Sequence, residues 1–193
     1  MKYRNIIAIT ALLLTSLSSC NSVLEKDDLT AVSETATWNS EILSTAFLDK
    51  CYNDNLPVFN GDYAKYSDEG NGGGDFIHGL LTSVASAGGP LGEYWPYDDI
   101  YTLNVLIANI GTGGLAPEVQ NRIKAQALFL RAYQYFQMVK IYGGVPLVLT
   151  PQDRYKDDLY VTRNTAKECV DQIVKDLDEA AASLPSIWDE KNF

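Results

Sequence analysis

The chain has 193 residues, 46% hydrophobic, 21% charged and 11% aromatic, which suits one domain with a small attachment and is too apolar for a disordered tail. Fifteen Lys and Arg stand against 25 Asp and Glu, a formal charge of −10, which excludes the basic stripe that a nucleic-acid binder needs to neutralise phosphates. One histidine, His78, and three cysteines, Cys20, Cys51 and Cys169, cannot make a Cys/His zinc site unless distant thiols converge.

The first nineteen residues form an address. Lys2 and Arg4 give a short positive region, and Ile6 to Leu14 an apolar run broken only by Thr10. The run is far shorter than the roughly 20 residues of a membrane-spanning helix and has the length of a signal-peptide core. Leu17-Ser18-Ser19-Cys20 then has the form of a bacterial lipobox, so cleavage before Cys20 and acylation of its thiol are expected. The alternative is an ordinary secretory signal with an incidental cysteine. Processing removes Lys2 and Arg4, leaving 13 of the 15 basic residues against 25 acidic ones, a charge of −12. So acidic a body does not adhere to anionic headgroups, and the lipid has to anchor it. Residues 20–35, with Glu25-Lys26-Asp27-Asp28, form an acidic tether, and the domain proper is expected over 36–193. Outside the cytoplasm a Cys51–Cys169 disulfide is allowed. Both residues fall near apolar stripes of predicted helices, however, which is the pattern of buried free thiols.

A first helix is expected over about Thr37–Asn53, with Ile42, Leu43, Ala46, Phe47 and Cys51 on one stripe and Pro57 beyond its end. Glycines at 61, 70, 72–74, 79, 88, 89 and 92 then exclude long helices and predict an irregular segment. A second helix starts near Pro96, carries Tyr97, Ile100, Leu103, Ile107 and Ile110 at helical spacing, and stops at Gly111-Thr112-Gly113-Gly114. The third starts at Pro117, a residue suited to a first helical turn, and runs to about Tyr142. Val119, Ile123, Ala127, Leu128, Leu130, Gln134, Tyr135 and Val139 give it an apolar surface wide enough for burial on more than one side. Gly143-Gly144 and Pro146 end it. The fourth opens on a capping-box spacing, Thr165 to Glu168, and presents Val170, Ile173, Val174, Leu177, Ala181 and Leu184 on one face.

The third helix and its exit read Phe129-Leu-Arg131-Ala132-Tyr133-Gln-Tyr135-Phe136, then Gly143-Gly144-Val145-Pro146-Leu147-Val148. This string closely resembles the "FLRAYYYF" helix and "GGVPLV" exit of the SusD/RagB family of outer-membrane lipoproteins. Trp95, Ile100 and Asn104 resemble the family's preceding aromatic helix, Tyr66-Ser67-Asp68-Glu69 its acidic loop, and Arg163 to Pro185 its next helix. The likeness extends from Cys20 to Pro185. It implies a mostly α, SusD-like fold with tetratricopeptide-like helical pairs around a glycine-rich irregular segment. It also implies a surface-facing outer-membrane lipoprotein that binds glycans or other nutrients for uptake with a SusC-like TonB-dependent transporter. Family members are longer, so the chain is expected to be the N-terminal portion of such a protein. A lipid-anchored helical scaffold for a protein partner, or a truncated fragment without function, are the alternatives.

The residues themselves carry no enzyme signature. There is no Gly-x-Ser-x-Gly elbow, phosphate loop or His-Glu-x-x-His, and no cofactor is implied. His78 has no nucleophile at a recognisable spacing, and Asp68, Glu69, Asn71 and Asp75 do not follow the EF-hand pattern for calcium. Arg131 lies among apolar residues and needs a counter-charge, which the Tyr66–Asp75 loop is expected to supply. The surplus is aromatic: 12 Tyr, 6 Phe and 3 Trp. Sugars offer apolar C–H faces to such rings while amides bond their hydroxyls, so Tyr94, Trp95 and Tyr97 with Asn104 are the candidate glycan contacts. Core packing of Trp95 and Tyr97 is the other reading of the same residues.

The lipobox generates the first prediction. Cys20→Ala is expected to release the protein from membranes, because an acyl-modified cysteine carries several chains whereas so acidic a body is not drawn to anionic headgroups. Mass spectrometry of the mature N-terminus checks it; an unmodified residue there contradicts it.

Overall fold

The computed structural model describes residues 33–57 and 94–188, so Cys20, His78 and the acidic positions from Asp68 to Asp75 lie outside the described residues. Among the described residues five helices follow in order: α1, Glu34–Asn39; α2, Glu41–Asn55; α3, Tyr97–Asn109; α4, Pro117–Tyr142; and α5, Ala166–Ser183. Among the described residues no helix is long and apolar enough to cross a membrane.

The expected first helix is in fact two. Ser40 adopts an extended backbone and its hydroxyl accepts from the Leu43 N–H at 3.4 Å, so it caps α2 and breaks the run. Across the break the Ser44 hydroxyl donates to the Thr37 carbonyl at 2.7 Å. This bond turns Ser44, Leu48, Cys51 and Asn55 inward, and Ile42 of the expected stripe is 80% exposed. Two of the four inward residues are polar, which hid the face from a search for apolar spacing.

α4 has the predicted bounds and is the central element. Its Ile123, Ala127 and Leu130 pack with Trp38, Leu48, Cys51, Leu103 and Leu106. Further along, Ala132, Tyr135 and Met138 pack with Ile100, Val145, Cys169 and Ile173. Ala125 and Leu128 meet Ala180 of α5. Burial on several sides is what the wide apolar surface of this helix required.

Two glycines end α4 for two different reasons. Gly143 has φ +74°, a left-handed value that disfavours any side chain. Gly144 needs no such angle, but a Cβ on it would overlap the Asn164 carbonyl oxygen and lie 2.8 Å from the Thr165 carbonyl carbon. The chain therefore reverses tightly, and residues 145–150 run extended against the base of α5. There Asn164 N–H donates to the Val145 carbonyl at 3.2 Å, and Leu147 N–H to Asn164 Oδ1 at 3.0 Å.

α5 starts with the predicted capping box: Glu168 N–H donates to Thr165 Oγ1 at 3.2 Å, and Thr165 N–H to Glu168 Oε2 at 2.7 Å. It returns antiparallel to α4, with Lys124 meeting Glu179 near one end and Cys169 beside Val145 at the other. Its buried residues are Cys169, Ile173, Asp176 and Ala180. Of the expected stripe only Ile173 is buried, while Val170, Val174 and Leu177 are exposed. The helix is rotated because Asp176 must face Arg131.

Arg131 sits 5% exposed at the centre of this packing. Its Nε and Nη2 donate to Asp176 Oδ2 and Oδ1, each at 2.8 Å, in a bidentate pair. Its Nη1 donates to Asn104 Oδ1 at 2.8 Å and to the Leu149 carbonyl at 3.1 Å. The counter-charge thus comes from α5; the Tyr66–Asp75 loop assigned to that role lies outside the described residues. Cys51 and Cys169 are both free and buried, and burial pushes the Cys51 thiol up to about 11, so it is protonated at neutral pH.

Two expectations follow from this packing. Arg131→Met leaves the Asp176 carboxylate buried without its counter-ion and is expected to cost about 3–5 kcal/mol in urea denaturation, whereas Arg131→Met with Asp176→Leu recovers most of that loss. Equal destabilisation of the single and double variants contradicts the account. The exposed Val170, Val174 and Leu177 stripe should drive concentration-dependent self-association in sedimentation velocity, and Val174→Lys with Leu177→Glu should abolish it. Each substitution at these exposed positions should change stability by no more than about 0.5 kcal/mol. A wild-type chain that sediments as a monomer at every concentration rules the stripe out as a contact surface.

Candidate functional site

The Tyr94–Tyr97 segment enters α3 at the end of the molecule where α4 stops. Pro96 occupies the N-cap position and supplies no side-chain cap, while Tyr97 N–H donates to the Trp95 carbonyl at 2.9 Å, which folds the segment tightly. Each tyrosine is tied down. Tyr94 N–H donates to the Tyr142 hydroxyl at 3.3 Å, and the Tyr94 hydroxyl donates to Gln134 Oε1. The Gln134 amide passes the link on, donating to Asn55 Oδ1 at 2.6 Å and to the Asn55 carbonyl at 3.1 Å. The Tyr97 hydroxyl donates to the Pro146 carbonyl at 2.6 Å, and burial holds this phenol well above its ordinary pKa.

Trp95 is different. Its indole is 47% exposed and rests on two rings, with centroids 5.0 Å from Tyr97, tilted at 53°, and 5.2 Å from Tyr142, edge-on at 84°. An amphipathic ring is thus presented to solvent from a backing of fixed tyrosines. Of the two readings of the sequence, core packing describes the tyrosines and surface display describes the tryptophan. Asp98 and Asp99 follow in the first turn of α3; burial, and after it the charge of Asp54, raise the Asp99 carboxyl above its usual range, against the pull of Lys50.

Asn104 does not join this group. It is 1% exposed, its Nδ2 donates to the Val148 and Thr150 carbonyls at 2.9 and 3.4 Å, and its Oδ1 is taken by Arg131. With both ends of the amide engaged inside the protein, its place is in the support of the 145–150 segment. Tyr135 acts on the same segment: its hydroxyl donates to the Val148 carbonyl at 2.9 Å and accepts from Val148 N–H at 2.7 Å. Burial pushes that phenol up to about 12. The residues that sequence reasoning missed are Tyr142, which backs the tryptophan, and Gln134, which anchors Tyr94. Both come from α4, some forty residues away, and nothing in local spacing joins them to Trp95.

A groove of about 930 Å³ opens elsewhere, lined by residues including Ile42, Leu48, Tyr52, Arg122, Phe129 and Trp188. Its walls come from α2, α4 and the chain after α5, so no single stretch of sequence announced it. The Tyr52 hydroxyl donates to Gln126 Oε1 at 3.1 Å inside it, and Arg122 pairs with Glu41 at 3.2 Å at its edge. Among the described residues no three His, Cys, Asp or Glu side chains gather as a metal site would require.

Comparison with known proteins gives a single answer. A SusD-like family model, described as starch-binding and associating with the outer membrane, matches residues 82–193. SusD-like protein P38 of Formosa agariphila is 29% identical over 208 aligned residues, covering all of this chain and 40% of the relative. SusD-like protein P2 of the same organism is 29% identical over 136 residues, covering 66% of this chain and 26% of that one. The chain therefore spans well under half the length of the curated relatives it matches. Among solved structures, a SusD-like protein of Bacteroides fragilis superposes with a TM-score of 0.67 at 25% identity, over 86% of this chain and 34% of its own. A laminarin-binding SusD-like protein superposes at 0.59 and 21% identity, over 79% of this chain and 36% of its own. With the family model covering more than half its length and the same helical fold in solved relatives, this chain belongs to the SusD-like family.

Proposed function

We propose that the protein is an outer-membrane lipoprotein, anchored through Cys20 and facing outward, that captures glycans for uptake with a SusC-like TonB-dependent transporter. The observation that carries this reading is the half-exposed Trp95 indole, braced by Tyr97 and Tyr142, in a chain of the SusD-like family. A pyranose ring stacks its C–H face on the indole. Tyr97 and Tyr142 hold the indole in place, Tyr94 ties the segment to Tyr142 and Gln134, and Asn104 serves the site only by fixing the 145–150 segment. The Tyr97 phenol, raised by burial and bonded to the Pro146 carbonyl, is protonated at neutral pH and serves as a fixed support for the ring.

The neighbouring charges narrow the ligand. Asp98 and Asp99 follow the tryptophan in the first turn of α3, and the processed chain carries −12, so a neutral glycan approaches without repulsion whereas a uronate or sulfated one does not. Starch and laminarin are both neutral glucans and are the natural first probes, because the family model is described as starch-binding and one structural neighbour as laminarin-binding.

Trp95→Ala is expected to weaken glucan binding by about 1–3 kcal/mol, roughly 5- to 150-fold in Kd, with little change in melting temperature because the ring is half outside the core. Titration calorimetry with laminarin oligosaccharides and a thermal melt on the same variant check both halves. An unchanged affinity removes Trp95 from the site, and a stability loss of about 3–5 kcal/mol returns it to the core.

A further inference from the structure

Gln134 lies 1% exposed on the inner side of α4, where an amide left unbonded would be costly. Every hydrogen-bonding group of that amide is taken. Nε2 donates to the last residue of α2, to Asn55 Oδ1 at 2.6 Å and to the Asn55 carbonyl at 3.1 Å, and Oε1 accepts from the Tyr94 hydroxyl. Asn55 is itself 3% exposed and is oriented by its Nδ2, which donates to the Cys51 carbonyl at 2.7 Å. Two acceptors at the end of α2 therefore decide which way the Gln134 amide points, and so which atom meets Tyr94.

α2 and α4 do not need this link in order to pack, because Leu48 and Cys51 already meet Ile123, Ala127 and Leu130 in an apolar cluster. What the link does reach is the segment that carries Trp95. Ahead of the tryptophan, Tyr94 is tied to α4 through Gln134 and Tyr142; behind it, the Tyr97 hydroxyl holds the Pro146 carbonyl at 2.6 Å. With the front tie released the segment can pivot on Tyr97, and the indole can leave the Tyr142 ring that backs it.

We propose that Asn55 and Gln134 are positioning residues for the Trp95 platform: the end of α2 orients Gln134, Gln134 orients Tyr94, and the indole stands in place before a sugar arrives. Neither residue touches the sugar. A ring held ready by buried bonds gives up little freedom when it binds, which is where these two residues act on affinity. The inference rests on the glycan reading above.

The test uses Gln134→Glu in the full chain, which keeps the shape and makes the end titratable. Protonated, the carboxyl donates to Asn55 and accepts from Tyr94; ionised, it turns a negative oxygen toward the two Asn55 acceptors. Burial and those acceptors raise its pKa, so the bonds are present at low pH and are lost as pH rises through the raised value. From about pH 5 to about pH 9 the variant is expected to go from near wild-type affinity for laminarin oligosaccharides to about tenfold weaker than wild type at the same pH. The wild type carries Asp99, Cys51 and every other titrating group of the chain, so the ratio isolates position 134. Asn55→Ala, which withdraws one acceptor, should weaken binding several-fold at every pH, and so should Tyr94→Phe, which removes only the hydroxyl.

A second readout needs no sugar. Trp38 is 4% exposed, so in a Trp188→Phe background the fluorescence open to acrylamide quenching is that of Trp95. Its quenching should rise with pH in Gln134→Glu and stay level with glutamine at 134. An affinity ratio and a quenching that are both flat with pH, in a variant folded throughout by its thermal melt, overturn the positioning role and leave the glycan reading standing. Where Gln134→Glu unfolds at high pH, Tyr94→Phe decides, and wild-type affinity and quenching in that variant overturn the role. A wild type that binds neither laminarin nor starch overturns the glycan reading instead, and the quenching profile alone then decides whether the ring is held from α2.

Discussion

The rest of this fold depends on finding partners for one buried guanidinium. Arg131 projects from the middle of the central helix into a region from which water is excluded, and its five donors cannot be silenced by deprotonation. The sequence answers with acceptors from three other places: the Asp176 carboxylate of α5, the Asn104 amide of α3 and the Leu149 carbonyl of the extended segment. Gln172 adds a further bond to Asp176 at 2.7 Å. A buried pair of this kind stabilises little when measured against apolar residues of the same volume. What it does forbid is misalignment. Sliding α5 by one turn along α4 would leave two opposite charges buried apart, a penalty that an aliphatic contact of equal area would not impose. The pair therefore sets the register of α4, α5 and the 145–150 segment together.

That register positions the surface to which a binding role is given. The Pro146 carbonyl that fixes Tyr97 belongs to the extended segment, and Tyr142, which backs Trp95, is the last residue of α4. The 150–163 excursion leaves from the same segment and returns onto the Gly144 and Tyr142 carbonyls. Function on this scaffold is carried by loop residues whose bases are held by buried polar bonds, which lowers the entropy that ligand binding must overcome.

Much of this was legible in the sequence, for identifiable reasons. The bounds of α4 follow from Pro117 and Gly143-Gly144, because proline's missing donor and glycine's missing Cβ act locally and need no tertiary information. The capping box of α5 is equally local. The rotation of α5 was not legible. Its apolar count points to Val170, Val174 and Leu177, and the helix turns instead on one acidic residue whose burial makes sense only once Arg131 is placed across from it. The inward face of α2 was hidden in the same way, since Ser44 and Asn55 are buried through bonds to the Thr37 and Cys51 carbonyls. Asn104 was singled out for the right chemistry in the wrong place: its amide bonds protein carbonyls where a sugar's hydroxyls were expected. Periodicity finds faces that are apolar, and polar keystones are invisible to it until their partners are known.

Two physical kinds stand out among the exposed apolar groups. Val170, Val174 and Leu177 are aliphatic and recur at helical spacing, so they can be covered only by another element laid along α5. Trp95, Tyr155 and Tyr160 are aromatic, are not periodic and stand on irregular chain. A ring carries a flat face and a polar edge, which lets it contact a ligand while its heteroatom stays hydrated, and it loses little rotamer freedom in doing so. The two aromatic surfaces are in turn separated by their backing. Trp95 leans on two fixed rings and leaves about half of its surface open to a sugar's C–H side, while Tyr155 and Tyr160 stand almost wholly exposed on irregular chain. The acidic body is compatible with the proposed glycan role, because a neutral glucan is not repelled by it.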